Sequence, residues 1–360
     1  MYLNYKSRIR SALFKGVLSL FSLGIFLSAC KPKEDFVGKE YVIAPADLQV
    51  ISFAAPDKST PVDFTADSAS FSAQFSHRVS WFLTLTGLKS GAVKKIEGLS
   101  DRIDPNLIKW GGNHDGLYFF KNEPVVAEIT FLKSSLVAAD TFNIGTPKKY
   151  EGTLLFDGFE KKFSNSWPGD FSFQEDGEVT PDVLKRDSSV TPIEGKWNFK
   201  MSGQDANTSY FICGMRAQKD QPKPENMPAK DTLYMDFDSF DPNEVYFNVY
   251  VYGNGATGTR ASIAVAEDDN GNAMYEDPIE DSWEYPFKVT WVGWKLISVK
   301  YADFSRAADK NFGGNGNGIK ELNKAKSITF NLLSDPPGGH AEYSFDFPII
   351  TYGGAFNPQQ

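Results

Sequence analysis

The octapeptide Val245-Tyr246-Phe247-Asn248-Val249-Tyr250-Val251-Tyr252 alternates without a break. Val245, Phe247, Val249 and Val251 share one side of an extended chain, and Tyr246, Asn248, Tyr250 and Tyr252 share the other. A period of two belongs to a β-strand, so the segment lies in a sheet with one apolar face against a core. Its other face is polar and aromatic.

Shorter runs of the same kind recur along the chain, among them Val79–Thr86, Val125–Leu132, Ala261–Ala266, Lys295–Val299 and Ser327–Leu333. They are rich in rings and β-branched side chains, and turn residues bound them. Only short helices have room, for example near residues 319–326. The spacing predicts an all-β chain: an immunoglobulin-like sandwich over residues 41–147, then a β-jelly-roll sandwich over residues 152–360. Asn143–Gly152, with its glycines, proline and lysines, reads as the linker between them. Within the first domain, Trp110-Gly111-Gly112-Asn113-His114-Asp115-Gly116 reads as a tight turn whose tryptophan covers one end of the core.

The first thirty residues set the compartment. Lys6, Arg8, Arg10 and Lys15 precede an uncharged, mostly apolar run from Gly16 to Cys30, which has fifteen residues and is too short to span a bilayer as a helix. It ends in Leu27-Ser28-Ala29-Cys30, which resembles the bacterial lipobox; Cys30 is then the lipidated residue and the new N-terminus. Residues 31–40 form a short tether. Its Lys33-Glu34-Asp35 resembles the surface-export signal of Bacteroidetes lipoproteins, so the expected place is the outer membrane, lipid-anchored and facing the cell exterior. The chain has two cysteines, so acylation of Cys30 leaves Cys213 without a partner. Cys213 sits in an apolar run and reads as a small buried hydrophobe.

Charge narrows the partners. Removing a leader with four bases and no acids takes the net charge from −9 to −13, which argues against a phosphate backbone as ligand. His77, His114 and His340 are scattered with no zinc-protease or paired-cysteine spacing. No nucleophile elbow or phosphate loop appears, and Gly313-Gly314-Asn315-Gly316-Asn317-Gly318 lacks the lysine a nucleotide site requires.

The second domain carries an ordered set of motifs: Leu154-Leu155-Phe156-Asp157-Gly158-Phe159-Glu160 at its start, Gly195-Lys196-Trp197-Asn198-Phe199-Lys200, then Gly293-Trp294-Lys295-Leu296-Ile297-Ser298-Val299 with Asp303-Phe304. Ser327-Ile328-Thr329-Phe330 and Tyr343-Ser344-Phe345-Asp346-Phe347 close the series. In that order, over roughly residues 152–355, they resemble the galactose-binding-like jelly roll of carbohydrate-binding modules, particularly the family 11-like group. With the lipobox, the whole chain resembles the surface glycan-binding lipoproteins of Bacteroidetes. The resemblance implies a non-catalytic polysaccharide or oligosaccharide binder that works beside an outer-membrane glycan transporter and hydrolases in polysaccharide utilisation. It also implies a structural calcium (Ca2+) joining first and last strands through Glu160 and Asp346, with Asp157 as a third acid.

Glu267–Tyr285 is the densest chemical stretch, with eight carboxylates, three large aromatics and no base in nineteen positions. Glycoside hydrolysis needs two carboxyls placed across a bond, and the acids here follow no strand spacing that would place them. Asp268-Asp269-Asn270-Gly271-Asn272 alternates oxygen ligands as calcium loops do, yet Ala273 stands where the EF-hand requires glycine. Sugar binding asks instead for flat rings and nearby amides or carboxylates. Trp283 and Tyr285, two apart and so on one side of a strand, form a platform with Tyr275 and the Tyr246, Asn248, Tyr250, Tyr252 face; Trp167 is a further stacking ring. The stretch reads as a glycan-facing or calcium-stabilised loop. Two other classes stay open: a jelly-roll hydrolase or lyase using these acids, and an adhesin-like subunit whose aromatic face meets protein.

Overall fold

The computed structural model describes residues 40–160, 171–173, 184–205, 208–218, 235, 237–272, 275–276, 279–307 and 314–359. For residues 157, 171–173 and 218 the description covers the backbone alone. The described chain is all-β, as the alternation predicts, with 3-10 turns in place of helices. Among the described residues no helix is long and apolar enough to cross a membrane.

The first domain contains β1 (Val50–Ala54), β2 (Val62–Asp63), β3 (Ala69–Ser70), β4 (Ser72–Gly87), β5 (Val93–Ile103), β6 (Lys109–Trp110), β7 (Pro124–Phe131) and β8 (Val137–Thr146). Six of them form one sheet in the order β1-β4-β7-β8-β2, with β5 on β4, and β3 pairs with β6. The segment that spacing alone assigned to an immunoglobulin-like sandwich is therefore one large sheet and a small two-stranded one. Alternation along β4 buries Val79, Trp81, Leu83 and Leu85 on the core side. Trp110 closes that core as expected, its ring edge-on to Phe64, Phe120 and Phe142.

The second domain runs through β9 (Thr153–Leu154), β10 (Phe171–Phe173), β11 (Leu184–Asp187), β12 (Asn198–Gln204), β13 (Phe211–Gln218), β14 (Val245–Asn254) and β15 (Thr259–Glu267). It continues with β16 (Ser282–Lys288), β17 (Val292–Lys300), β18 (Ser305–Arg306), β19 (Ala325–Ser334) and β20 (His340–Tyr352). One sheet has the order β10-β13-β19-β15-β16-β18; the other has β11-β12-β20-β14-β17 with β9 on β20. Their inner faces meet in a single core that takes Val245, Phe247, Val249 and Val251 from one sheet and Ile263, Val265, Ile328 and Phe330 from the other. The Phe330 and Phe345 rings stack across the sandwich at 4.9 Å. Cys213 is buried there, and burial pushes its thiol up to about 12. It is a packing residue, not a reactive one.

A third apolar cluster joins the domains. Phe119, from the loop before β7, sits among Tyr250, Phe347, Ile349 and Phe356 of the second domain. Its backbone N–H donates to the Ile193 carbonyl at 3.0 Å. The outer face of β14 is therefore partly an interface inside the chain, which decides where a ligand can go.

Candidate ligand-binding face

The sequence-predicted platform divides when each residue is located. Tyr250 is 3% exposed and meets the Phe119 ring edge-on at 5.8 Å. Asn248 is buried beside it; Nδ2 donates to the Ile349 carbonyl and to Thr351 Oγ1, each at 3.0 Å, and Oδ1 accepts the Phe356 N–H at 2.9 Å. Both are structural, because the first domain and the C-terminal segment occupy the space a sugar would need. Tyr246 and Tyr252 lie half-buried at the two ends of the row. Lys300 Nζ lies 5.5 Å over the Tyr246 ring, and Tyr252 meets Trp294 edge-on.

Trp283 and Tyr285 do share a side of their strand, and that side faces the core. The register pairs Trp283 with Val265 and Tyr285 with Ile263, both inward. Trp283 is 8% exposed, and its indole N–H donates to Glu267 Oε2 at 2.9 Å. Tyr285 packs against Phe287 and Phe304. A ring already stacked in a core cannot stack on a ligand, so these positions are corrected to core. Tyr275 is half-buried in the loop. Trp167 and Cys30 lie outside the described residues.

Five acids of the 267–285 stretch act as hydrogen-bond acceptors within the fold. Glu267 accepts from Trp283, from the Tyr301 hydroxyl at 2.6 Å and from the Glu321 N–H at 2.8 Å. Burial pushes its carboxyl up to about 7 against these hydrogen bonds. Asp268 accepts the N–H groups of Gly271 and Asn272, Asp269 that of Asp281, and Glu280 those of Asn270 and Glu276. Asp281 takes the Arg306 Nε–H and the Gly318 N–H. Four of these acids, Glu267, Asp268, Glu280 and Asp281, are buried. The stretch ties its own loop to β16, β18 and the turn before β19.

The opposite sheet presents a different surface. Residues that alternate with the core side chains fall into rows across it: Arg216, Thr329, Ala264 and Glu284 in one, Gly214, Asn331, Ser262 and Pro286 in the next. Ser262, Ala264, Ala266, Ser327, Thr329 and Asn331 point away from the core cluster, yet all are buried. An outward face with so little exposure is enclosed, not open to solvent. Its side chains are small, and Arg216, Glu284, Arg260 and Lys288 continue its rows. Asn331 Nδ2 donates to Ser262 Oγ at 3.0 Å, while Asn331 Oδ1, in a side chain 7% exposed, has no hydrogen-bond partner among the described residues. A buried amide oxygen left unpaired is costly, so it points to a donor brought by something else. This face was missed in the sequence although its signal is plain: Ser327, Thr329 and Asn331 alternate with Ile328, Phe330 and Leu332.

The expected calcium acids lie at the other side of the sandwich. Glu160 Oε1 accepts the N–H groups of Lys196 and Trp197 at 2.6 and 3.0 Å. It presses on Gly195, where a Cβ would lie 2.1 Å from that oxygen. Asp346, fully buried, accepts Ile193 N–H at 2.7 Å and Glu194 N–H at 3.3 Å through Oδ2, and Phe347 N–H through Oδ1. Glu194, absent from the sequence reading, joins them with Oε2 buried and unpartnered. Burial, then repulsion from Glu160, pushes Glu194 up to about 7; burial, then Glu194, pushes Asp346 well up. The Asp157 side chain lies outside the described residues. Among the described residues no group of three or more His, Cys, Asp or Glu side chains is arranged to hold a metal ion.

No protein-family model matches the sequence, and no curated protein matches it. Solved structures similar to the chain include a family 11 carbohydrate-binding module from Clostridium thermocellum in complex with a β-1,3-1,4-mixed-linked tetrasaccharide, at 15% identity and a TM-score of 0.36. That likeness covers 57% of this chain and 96% of the module. The family 11 module of a cellulosomal cellulase from the same organism gives 15% identity and a TM-score of 0.38, over 58% of this chain and 98% of its own. The CBM22-1 xylan-binding domain from Paenibacillus barcinonensis gives 15% identity and 0.31, over 58% and 100%. Scores this low leave the assignment of the fold to the strand topology itself, a two-sheet β-sandwich.

Proposed function

We propose that the chain is a non-catalytic glycan-binding protein whose ligand lies on the outer face of the β13-β19-β15-β16 sheet. The observation that carries this reading is Asn331 Oδ1, buried and unpartnered on a face of hydroxyls and small side chains. A sugar brings many hydroxyl donors and acceptors, and an enclosed face of Ser262, Ser327, Thr329 and Asn331 with arginine and glutamate in its rows matches that chemistry. The motif order of the second domain supports the same class. In this reading the chain is anchored in the outer membrane through a lipidated Cys30, faces outward, and holds polysaccharide for a neighbouring transporter and hydrolases.

Affinity electrophoresis of the chain from Lys31 onward through plant, fungal and host polysaccharides, with reducing ends assayed in parallel, tests it. Retardation by one glycan without sugar release, lost in Asn331→Ala, is expected. Release of sugar would make the chain an enzyme, and indifference to every glycan would favour a protein partner.

A further inference from the structure

The acid cluster of Glu160, Glu194 and Asp346 is approached from outside its own domain. The segment after Phe119 runs along the loop that supplies the Ile193 and Glu194 N–H groups to Asp346. Lys121 Nζ reaches the Pro192 carbonyl of that loop at 3.4 Å, while its own N–H donates to Glu123 Oε1 at 2.9 Å. The partly buried ammonium of Lys121 thus lies against the loop that joins Glu194 to Asp346.

A calcium ion asks for six to eight oxygens converging at ~2.3–2.6 Å. Glu160 and Asp346 are instead turned onto backbone N–H groups, and among the described residues no set of acids converges in that way. An ammonium is less demanding: it acts through its charge over several ångströms where water is scarce. We propose that Lys121, carried by the first domain, is the resident cation of this acid cluster, so that an ammonium from the neighbouring domain stands where the resembling modules are expected to hold calcium. Burial pushes Lys121 down and Glu194 up overall; against it, Asp346, Glu123, Glu194 and Glu160 each raise Lys121, and Lys121 lowers Glu194. The two domains are then held together by charge at one point and by the Phe119 cluster at another. This inference stands apart from the glycan reading, because the acid cluster belongs to the other sheet.

Thermal melts and calcium titrations of the full chain test it with Lys121→Met, Glu194→Gln and the double variant. Glu194 Oε2 has no hydrogen bond to lose, so Gln removes the charge and keeps the shape. The wild-type midpoint is expected to be the same in excess calcium and in EDTA. Lys121→Met is expected to lower the midpoint by several degrees and to gain a calcium response, and the drop is at least halved in the Glu194→Gln background. A wild-type midpoint that falls in EDTA, with the effect abolished by Glu194→Gln, would return the site to calcium. An equal Lys121→Met loss in both backgrounds would show that the lysine acts by packing alone and overturn the proposal. Should Lys121→Met not fold, the EDTA response of wild type and Glu194→Gln still decides between ammonium and calcium.

Discussion

The indole N–H of Trp283 meets Oε2 of Glu267 at 2.9 Å, inside the sandwich and at the root of the most acidic stretch in the chain. An acid that opens a surface loop is thereby drawn into the core, where it also accepts from Tyr301 and from the Glu321 backbone. All three partners are donors, so the site is built for an acceptor. The loop's chemistry is spent on its own architecture.

Replacing Glu267 by Gln puts an amide N–H2 against at least one of those donors. The neutral acid carries one O–H against the same donors, so near pH 5 the variant is expected to match wild type within about 1 kcal/mol. Burial raises the wild-type carboxyl from 4.5 to about 7, so the neutral form is favoured in the folded chain. Its contribution to stability is whole below the unfolded pKa and fades as pH climbs through the folded one, by on the order of 3 kcal/mol. Urea midpoints should therefore show wild type falling below Glu267→Gln as pH climbs toward 8. Wild type gaining on the variant with pH would mean the folded carboxyl is ionised throughout.

Asp205 is a second buried acid, with the opposite sign. Its oxygens accept from Ser209 N–H and Tyr210 N–H at 3.0 Å, Ser334 Oγ at 2.9 Å and Gly338 N–H at 2.7 Å. Burial pushes its pKa up, but the hydrogen bonds together outweigh it and hold the carboxyl below its ordinary value. The stabilisation is present above the unfolded pKa and is lost as pH falls through the folded one. Asp205→Asn is expected to cost about 1 to 3 kcal/mol at neutral pH, because one oxygen becomes a donor facing donors. Wild type and variant should converge in acid; parallel curves down to the acid limit would rule out the charge as the source.

The alternation of Val245–Tyr252 identified a core face in the sequence, and Val245, Phe247, Val249 and Val251 are indeed buried in the core. What covers the other face was not legible, since local spacing holds no sign that Phe119 of the first domain would pack on Tyr250. For Trp283 and Tyr285 the sequence showed a shared side and could not show which side. That depends on register with Val265 and Ile263, a non-local fact. Asn331 was legible as a strand residue; its significance comes only from an unpaired oxygen, which no pattern of residue types reveals.

The proposed lipid anchor makes a separate prediction. Cys30→Ser should abolish incorporation of labelled fatty acid in a bacterial host and move the chain from the detergent phase to the aqueous phase on phase separation. Glycan retardation of the variant should be unchanged, because the proposed binding face belongs to the second domain. Labelling that survives the substitution would place the anchor elsewhere or remove it from the account.

The domain interface turns on Phe119, whose ring lies 4.8 Å from Phe347 and 4.9 Å from Tyr150, with Phe356 and Tyr250 beside it. Truncating a buried phenylalanine to alanine typically costs ~3–5 kcal/mol, and here the loss falls on docking, since both domains keep their own cores. Phe119→Ala should widen the solution-scattering envelope and speed proteolysis within residues 147–152, while Asn331-dependent glycan retardation survives. Were the domains free to move in the wild type, the substitution would leave scattering and proteolysis as they were, and Tyr250 would have to be readmitted as a ligand-facing ring.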